Sequence, residues 1–170
     1  MTRYKQPVSV LVVIYTAPSS FDTSGKLGTG PDVLLLERAD HPGYWQSVTG
    51  SREAGEALRD TAIREVREET GLDVVSNAGQ YTLTDWQIQN VYEIYPHWRF
   101  RYSPDVTHNT EHVFGLQLPQ PVAVQLDPRE HLNFQWLAWQ DAAQKAFSPS
   151  NRAAILQLAQ RGCCNRETGE

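Results

Sequence analysis

The sequence has few cysteines and no long apolar run. Its two cysteines, Cys163 and Cys164, are adjacent and lie near the C-terminus of the 170-residue chain. Adjacent thiols lack the spaced partners that a disulfide framework or a zinc site requires, so we expect a reducing, cytoplasmic setting. Because no segment approaches the roughly 18 apolar residues of a membrane span, we expect no membrane association through a spanning helix.

Positive charge is also scarce, since 15 Lys and Arg residues stand against 20 Asp and Glu and give a formal net charge of −5. Proteins that bind nucleic acids or anionic membranes usually carry a basic surface, so both kinds of partner are disfavoured. An acidic protein can still bind a polyanion when divalent cations bridge the two. The length suits a single domain over residues 1–161, followed by a frayed tail at 162–170.

Hydrophobic patterning predicts strands and helices without regular βαβ alternation. Strands are predicted at residues 7–15, 32–38, 74–84, 89–102, 112–118 and 133–137. Helices are predicted at residues 57–70, 139–147 and 150–161, with Gly71 as the C-terminal cap of the first. A loop rich in Ser, Gly and Pro occupies residues 17–31. This order predicts an α/β fold in which a mixed β-sheet lies between helices.

The stretch REVREETGL, residues 64–72, places three glutamates on the first predicted helix. At helical spacing, Glu65 and Glu69 continue the stripe that begins with Leu58 and Ala62, so they face inward. A solvated charged face is the alternative, but it does not account for these two half-buried carboxylates. Clustered carboxylates are ligands for hard cations such as Mg²⁺ or Mn²⁺, so the pattern favours a metal site.

The wider pattern is G-x5-E-x7-R-E-U-x-E-E-x-G-U, where U is aliphatic, and it begins at Gly50. It resembles the Nudix box and fills every specified position. The resemblance implies a Nudix-type α/β/α sandwich and Mg²⁺-dependent hydrolysis of a nucleoside diphosphate linked to another group. A glycine at position 50 also suits a close approach of the backbone to the metal.

The resemblance further implies which residues of this sequence carry the chemistry. It gives four carboxylates as metal ligands: Glu65, Glu69, Glu68 and Glu130. Arg64 would orient Glu65, and Glu56 would support Arg64 through an ion pair. Glu130, in the loop before the last predicted strand, is also the candidate catalytic base, and the alternative is an ordinary loop carboxylate.

Several further segments, among them YWQSVTGS, YEIYPHWRFRYSPDVTHNTEHVF and EHLNFQWL, resemble the bacterial dihydroneopterin triphosphate pyrophosphatase family over residues 4–155. That family, which belongs to folate biosynthesis, releases pyrophosphate from 7,8-dihydroneopterin triphosphate and leaves the monophosphate. One alternative is a hydrolase of (deoxy)nucleoside triphosphates or dinucleoside polyphosphates. Another is a non-catalytic Nudix sensor module, which the intact box disfavours.

The same resemblance implies substrate contacts at eight positions: Lys5, Arg38, Thr49, Tyr92, Glu93, Ile94, Tyr95 and Ser148. Lys5 and Arg38 are cations at strand ends and suit phosphate groups. A flat pterin needs stacking surfaces and an acceptor for its amide edge, which aromatic residues and Glu93 can provide. Alternatively, Tyr92 and Ile94 form one face of a strand.

Overall fold

A mixed sheet lies at the centre of the computed structural model, which describes residues 3–18 and 30–161. Within these residues the strands are β1 (Val8–Thr16), β2 (Asp32–Arg38), β3 (Trp45–Gln46), β4 (Val48–Ser51), β5 (Thr82–Glu93), β6 (His108–Leu118) and β7 (His131–Ala138). The α-helices are α1 (Leu58–Thr70), α2 (Trp139–Lys145), α3 (Pro149–Leu156) and α4 (Leu158–Arg161). The predicted α/β fold with a mixed sheet between helices is confirmed.

The strand β1 organises the sheet. It pairs in parallel with β6 along its whole length, from Val8 opposite Thr110 to Thr16 opposite Leu118. The antiparallel strands β4 and β2 therefore share its other edge. Strand β5 continues the sheet beyond β6, and β7 continues it beyond β2, both through antiparallel pairing.

Helices cover both faces of the sheet, and the alternation of side chains along β1 divides the core between them. Val10 and Val12 pack on the face covered by α1. Leu11 and Val13 pack on the opposite face, where Ala142 of α2 and Ile155 of α3 join them. A strand buried on both faces reads as a continuous apolar run, which explains why residues 8–15 show no polar alternation.

Helix α1 carries the glutamate-rich stretch and matches its prediction closely. Its N-cap is Ala57, in an extended conformation. Gly71 ends the helix with a left-handed φ of 74°, and its N–H donates to the carbonyl of Arg67. Glycine adopts this conformation without the steric cost of a Cβ, so the predicted C-terminal cap is confirmed.

The prediction of a strand over residues 74–84 is wrong for most of that range. Residues 74–80 form turns, and the chain enters the sheet only at β5. The carboxylate of Asp73 accepts hydrogen bonds from the backbone N–H and the hydroxyl of Ser76. Side-chain capping of this kind offers the backbone an alternative to strand pairing.

The prediction of a strand over residues 89–102 is also wrong in its second half. Strand β5 ends at Glu93, and Pro96–Arg101 form a 3₁₀-helix. Pro96 has no N–H to continue a strand ladder, and its fixed φ suits the first turn of a helix. This helix carries Trp98 and Arg101 toward the end of the sheet instead of leaving them along a strand edge.

Near the C-terminus, one predicted helix is two helices in the structure. The predicted helix over 150–161 is divided into α3 and α4 at Gln157. Most of the 17–31 loop, the 162–170 tail and both cysteines lie outside the described residues, so the cytoplasmic setting and the domain boundary stay predictions.

No helix in the described part of the chain is both long and apolar enough to cross a bilayer.

Candidate active site

A cavity of about 840 Å³ opens at the end of the sheet. Its walls come from the first half of β1, from β4, from the end of β5, from the 3₁₀-helix and from the start of α3. All eight residues predicted to contact the substrate line it: Lys5, Arg38, Thr49, Tyr92, Glu93, Ile94, Tyr95 and Ser148. Residues that lie as far apart in the sequence as positions 5 and 148 therefore meet at one site.

Arg64 joins two of the predicted catalytic glutamates. Its Nε and Nη2 lie 2.8 and 3.0 Å from the two carboxylate oxygens of Glu56, which forms a bidentate pair. Its Nη1 donates to Glu65 Oε1 at 2.8 Å, and Nη2 also donates to the carbonyl of Ser51. The hydrogen bonds from Arg64 hold the pKa of Glu56 down at about 2. The ion pair expected between Glu56 and Arg64 is thus present in the structure.

Glu65 is buried beside the backbone of Gly50. Burial raises the pKa of Glu65 to about 7, although the charge and hydrogen bond of Arg64 oppose that shift. A Cβ placed on Gly50 would lie 1.9 Å from Glu65 Cδ, far inside van der Waals contact. Only glycine leaves room for the carboxylate here.

Glu69 is buried more deeply and lacks a full set of partners. It is 3% exposed and accepts a hydrogen bond from the backbone N–H of Thr49, while its Oε2 has no hydrogen-bond partner. Burial, and then the charges of Glu65 and Glu130, raise the pKa of Glu69 well above its usual value. Burying a carboxylate oxygen without a partner costs free energy, and a proton or a bound cation at this oxygen would remove that cost.

His131 is the nearest imidazole to Glu69, but it does not supply that cation. Its Nε2 lies 3.9 Å from Glu69 Oε2, which is too long for a hydrogen bond. Burial lowers the pKa of His131 to about 4, so the ring is neutral at pH 7. His131 therefore leaves Glu69 Oε2 without a hydrogen-bond partner.

The four predicted metal ligands are not gathered into a finished cluster. Glu69 and Glu130 line the cavity, whereas Glu65 and Glu68 lie outside its lining. The Glu68 side chain is 55% exposed and approaches Arg64 at 3.3 Å. No three His, Cys, Asp or Glu side chains form a metal-binding group within the described ranges. Like charges repel, so carboxylates are not expected to converge without a cation between them. The set of four ligands therefore stays a prediction. The buried carboxylates of Glu65 and Glu69 fit it, because hard divalent cations prefer oxygen donors.

The cavity carries charges of both signs, and its carboxylates are those of Asp40, Glu69, Glu93, Glu111 and Glu130. Four cations line it: Lys5, Arg38, Arg101 and Arg129. Arg38 forms a bidentate pair with Asp40 at 2.7 Å, and Arg101 reaches the same carboxylate at 3.2 Å. Hydrogen bonds from Arg38 hold the pKa of Asp40 far below its usual range.

Sequence reasoning missed Arg101 and Arg129 as cavity residues. The alternation of basic and aromatic residues in HWRFRY, residues 97–102, is the signal that could identify Arg101, but the strand predicted over residues 89–102 leaves it along a strand edge. Arg129 carries no comparable signal, because its position depends on the loop before β7, where the carbonyl of Glu130 accepts the backbone N–H of Ala39.

Aromatic side chains form a further wall. Tyr95, Trp98 and Phe147 all line the cavity, and the ring of Trp98 lies 5.5 Å from Tyr95 and 6.1 Å from Phe147 between centroids. The guanidinium of Arg38 lies 4.5 Å from the centroid of the Trp98 ring. Such a wall can stack on a flat heterocycle while the neighbouring cation binds an anionic group. Trp98 and Phe147 were not predicted, because their contacts depend on the 3₁₀-helix and the α2–α3 turn.

One of the predicted contacts also has a structural part. Ser148 is the N-cap of α3, where its Oγ accepts the backbone N–H of Asn151 at 3.1 Å. Asn151 in turn donates to Ser47 Oγ and accepts from the Ser47 backbone N–H. These bonds fix the start of α3 against the strand region that precedes Thr49.

Comparison with known proteins places this geometry in a family. The NUDIX domain matches residues 7–158. The chain is 47% identical over 155 residues to dihydroneopterin triphosphate diphosphatase of Escherichia coli K12, covering 91% of this chain and 93% of the relative. It is 40% identical to the Haemophilus influenzae protein of the same name, covering 91% and 89%. The solved E. coli dihydroneopterin triphosphate pyrophosphohydrolase matches with a TM-score of 0.79 and 45% identity, over 93% of this chain and 98% of that one.

Proposed function

Because the chain belongs to the NUDIX family, we propose that it hydrolyses 7,8-dihydroneopterin triphosphate to dihydroneopterin monophosphate and pyrophosphate, a step of folate biosynthesis. The observation that carries the proposal is one cavity with three chemically different walls. The first has the buried carboxylate of Glu69, the second has the cations Lys5 and Arg38, and the third has the aromatic rings around Trp98. A substrate with a triphosphate and a flat ring needs all three.

The proposal includes a divalent cation, Mg²⁺ or alternatively Mn²⁺, held by Glu65, Glu69, Glu68 and Glu130. Support comes from the unpartnered Oε2 of Glu69 and from the close approach of Gly50 to Glu65. When bound, such a cation offsets phosphate charge, polarises phosphoryl oxygens and makes water a better nucleophile.

The residues of this chain have separate tasks in the reaction. Arg64 is tied to Glu56 by two hydrogen bonds and presents a third to Glu65, so it fixes the orientation of the Glu65 carboxylate. Glu130 is exposed at the cavity and can accept the proton that the attacking water gives up. Lys5 and Arg38 bind phosphate oxygens as charge-assisted donors.

Hydrolysis in the presence of Mg²⁺ tests the proposal. The assay compares dihydroneopterin triphosphate with the common nucleoside triphosphates and measures pyrophosphate and orthophosphate separately. We expect preference for the pterin substrate with release of pyrophosphate. Equal or faster turnover of the nucleotides would overturn the pterin assignment and support a broader hydrolase of nucleoside triphosphates. No turnover of any substrate with Mg²⁺ or Mn²⁺ would support a sensor module.

A further inference from the structure

A row of polar side chains crosses the sheet at the inner end of the cavity. The strand registers place Ser9 of β1 opposite Ser51 of β4 and opposite Glu111 of β6, and Glu111 opposite Asn90 of β5. Residues paired in this way point to the same face of a sheet. All four line the cavity.

The face changes character at this row. Two positions further along, Leu11 and Val113 lie on the same face and are buried under α2 and α3. If this face served core packing alone, positions 9 and 111, two residues before Leu11 and Val113, would also be apolar. The sequence instead has Ser9 and Glu111, which are only 5% and 4% exposed. The polar row therefore lies where the apolar packing under α2 and α3 gives way to polar residues of the cavity lining.

Glu111 is the unusual member of the row. Asn90 Nδ2 lies a long 3.5 Å from its Oε1, and the Ser150 hydroxyl is its other donor. No salt bridge reaches it from a Lys, Arg or His of the described residues. A carboxylate has about four acceptor sites, so these two donors leave part of the capacity of Glu111 unused. Burying such a group is costly and points to a ligand that supplies the missing donors.

The surroundings hold this wall in a fixed shape. Asn109 Nδ2 lies 2.7 Å from Ser9 Oγ and 3.1 Å from the hydroxyl of Tyr92, which lines the cavity beside Asn90. Ser150 belongs to α3, whose start is fixed by the Ser148 cap. The aromatic wall and this row line the same cavity, so a ring bound there can present one edge to Glu111.

We propose that Glu111 binds the edge of a heterocycle that carries a ring N–H beside an exocyclic amino group, so that the cavity selects 2-amino-4-oxopyrimidine rings. Pterins and guanine have this pair of donors, whereas adenine, cytosine and uracil do not. A carboxylate accepts two parallel N–H bonds in such a geometry. The inference deepens the proposed function, on which it rests for the substrate class, and assigns ring selection to a residue other than the exposed Glu93.

Binding of phosphate-free rings tests this inference separately from hydrolysis. Fluorescence titration of the whole protein compares pterin with lumazine, in which a carbonyl replaces the 2-amino group. We expect pterin to bind roughly 10–100-fold more tightly, because a hydrogen bond to a charged group is lost with lumazine. Equal affinity for the two rings in the wild-type protein would overturn the proposal. Failure to hydrolyse dihydroneopterin triphosphate would instead overturn only the proposed reaction.

The Glu111→Gln variant assigns the discrimination to one side chain. We expect the preference for pterin to disappear in this variant while the melting temperature stays the same or rises, because a buried charge becomes a neutral group of the same shape. The exposed carboxylate of Asp141 lies outside the cavity lining, so Asp141→Asn is the matched control and should keep the preference. An unchanged preference in Glu111→Gln would refute the assignment. Loss of the preference in Glu93→Gln but not in Glu111→Gln would move the contact to Glu93.

Discussion

Replacing Gly50 by alanine should separate catalysis from folding in this protein. The added Cβ would lie 1.9 Å from Glu65 Cδ and 2.1 and 2.3 Å from its two oxygens. Ordinary carbon contacts are about 3.5–4.0 Å, so the carboxylate must retreat by about 1.5 Å or more. Because a misplacement of about 1 Å can cost 100-fold in rate, we expect kcat/KM to fall by about two orders of magnitude.

The effect of Gly50→Ala on folding should be much smaller. The clashing atoms are the end of a side chain, which can move, and the φ of Gly50 is not in the left-handed region. Overpacking costs about 1–3 kcal/mol, and we expect the low end of that range, or a few degrees in melting temperature. Gly79→Ala is the matched control, because its Cβ would meet nothing within 4 Å.

Steady-state kinetics and thermal unfolding of both variants check this reasoning. Wild-type kcat/KM in Gly50→Ala would show that the position of the Glu65 carboxylate does not matter for turnover. A loss of activity that only mirrors a collapse in melting temperature would reduce Gly50 to a packing residue.

Three further perturbations follow from the same geometry. Glu69→Gln should abolish pyrophosphate release while the melting temperature holds or rises, since it relieves repulsion with Glu65 and Glu130, and full activity would remove Glu69 from the metal site. Glu56 has a pKa of about 2 instead of its ordinary 4.5, so its pair with Arg64 stabilises the fold above about pH 4.5, and this contribution is lost as the pH falls toward 2. The melting temperatures of wild type and Glu56→Gln should therefore converge over that interval, and a constant difference would contradict the ion pair. Trp98→Ala should raise KM for the pterin substrate about 10-fold with a smaller change in kcat, because stacking on an aromatic ring is worth roughly 1–3 kcal/mol. An unchanged KM would exclude Trp98 from ring binding.

The sequence determined the elements whose signals are local. Helix α1 and its Gly71 cap follow from helical periodicity and from the one residue type that accepts a left-handed φ at no cost. The spacing of the glutamates on that helix also predicts that Glu65 and Glu69 face inward, and both are buried in the structure. Periodicity is a property of neighbouring residues, so a single chain displays it without tertiary information.

The extent of the strands was less predictable, because local competition decided it. The capped turn at Asp73 and the proline at position 96 redirected segments that look strand-like by composition. As a result, two expected strands became the single strand β5. Only the folded chain shows which of these local preferences dominates.

Tertiary structure alone decided how the cavity is composed. Glu111, Arg129 and Phe147 carry no local signal of function, since each looks like an ordinary strand, loop or helix-end residue. They meet because β1 and β6 pair in parallel in one register and because α2 and α3 fold back over that face. The register places a buried carboxylate beside Ser9 and Asn90, whereas a shift of one residue would have turned it to the opposite face. Sequence spacing thus specified the glutamates of one helix, and strand pairing specified the pocket that Glu69 lines.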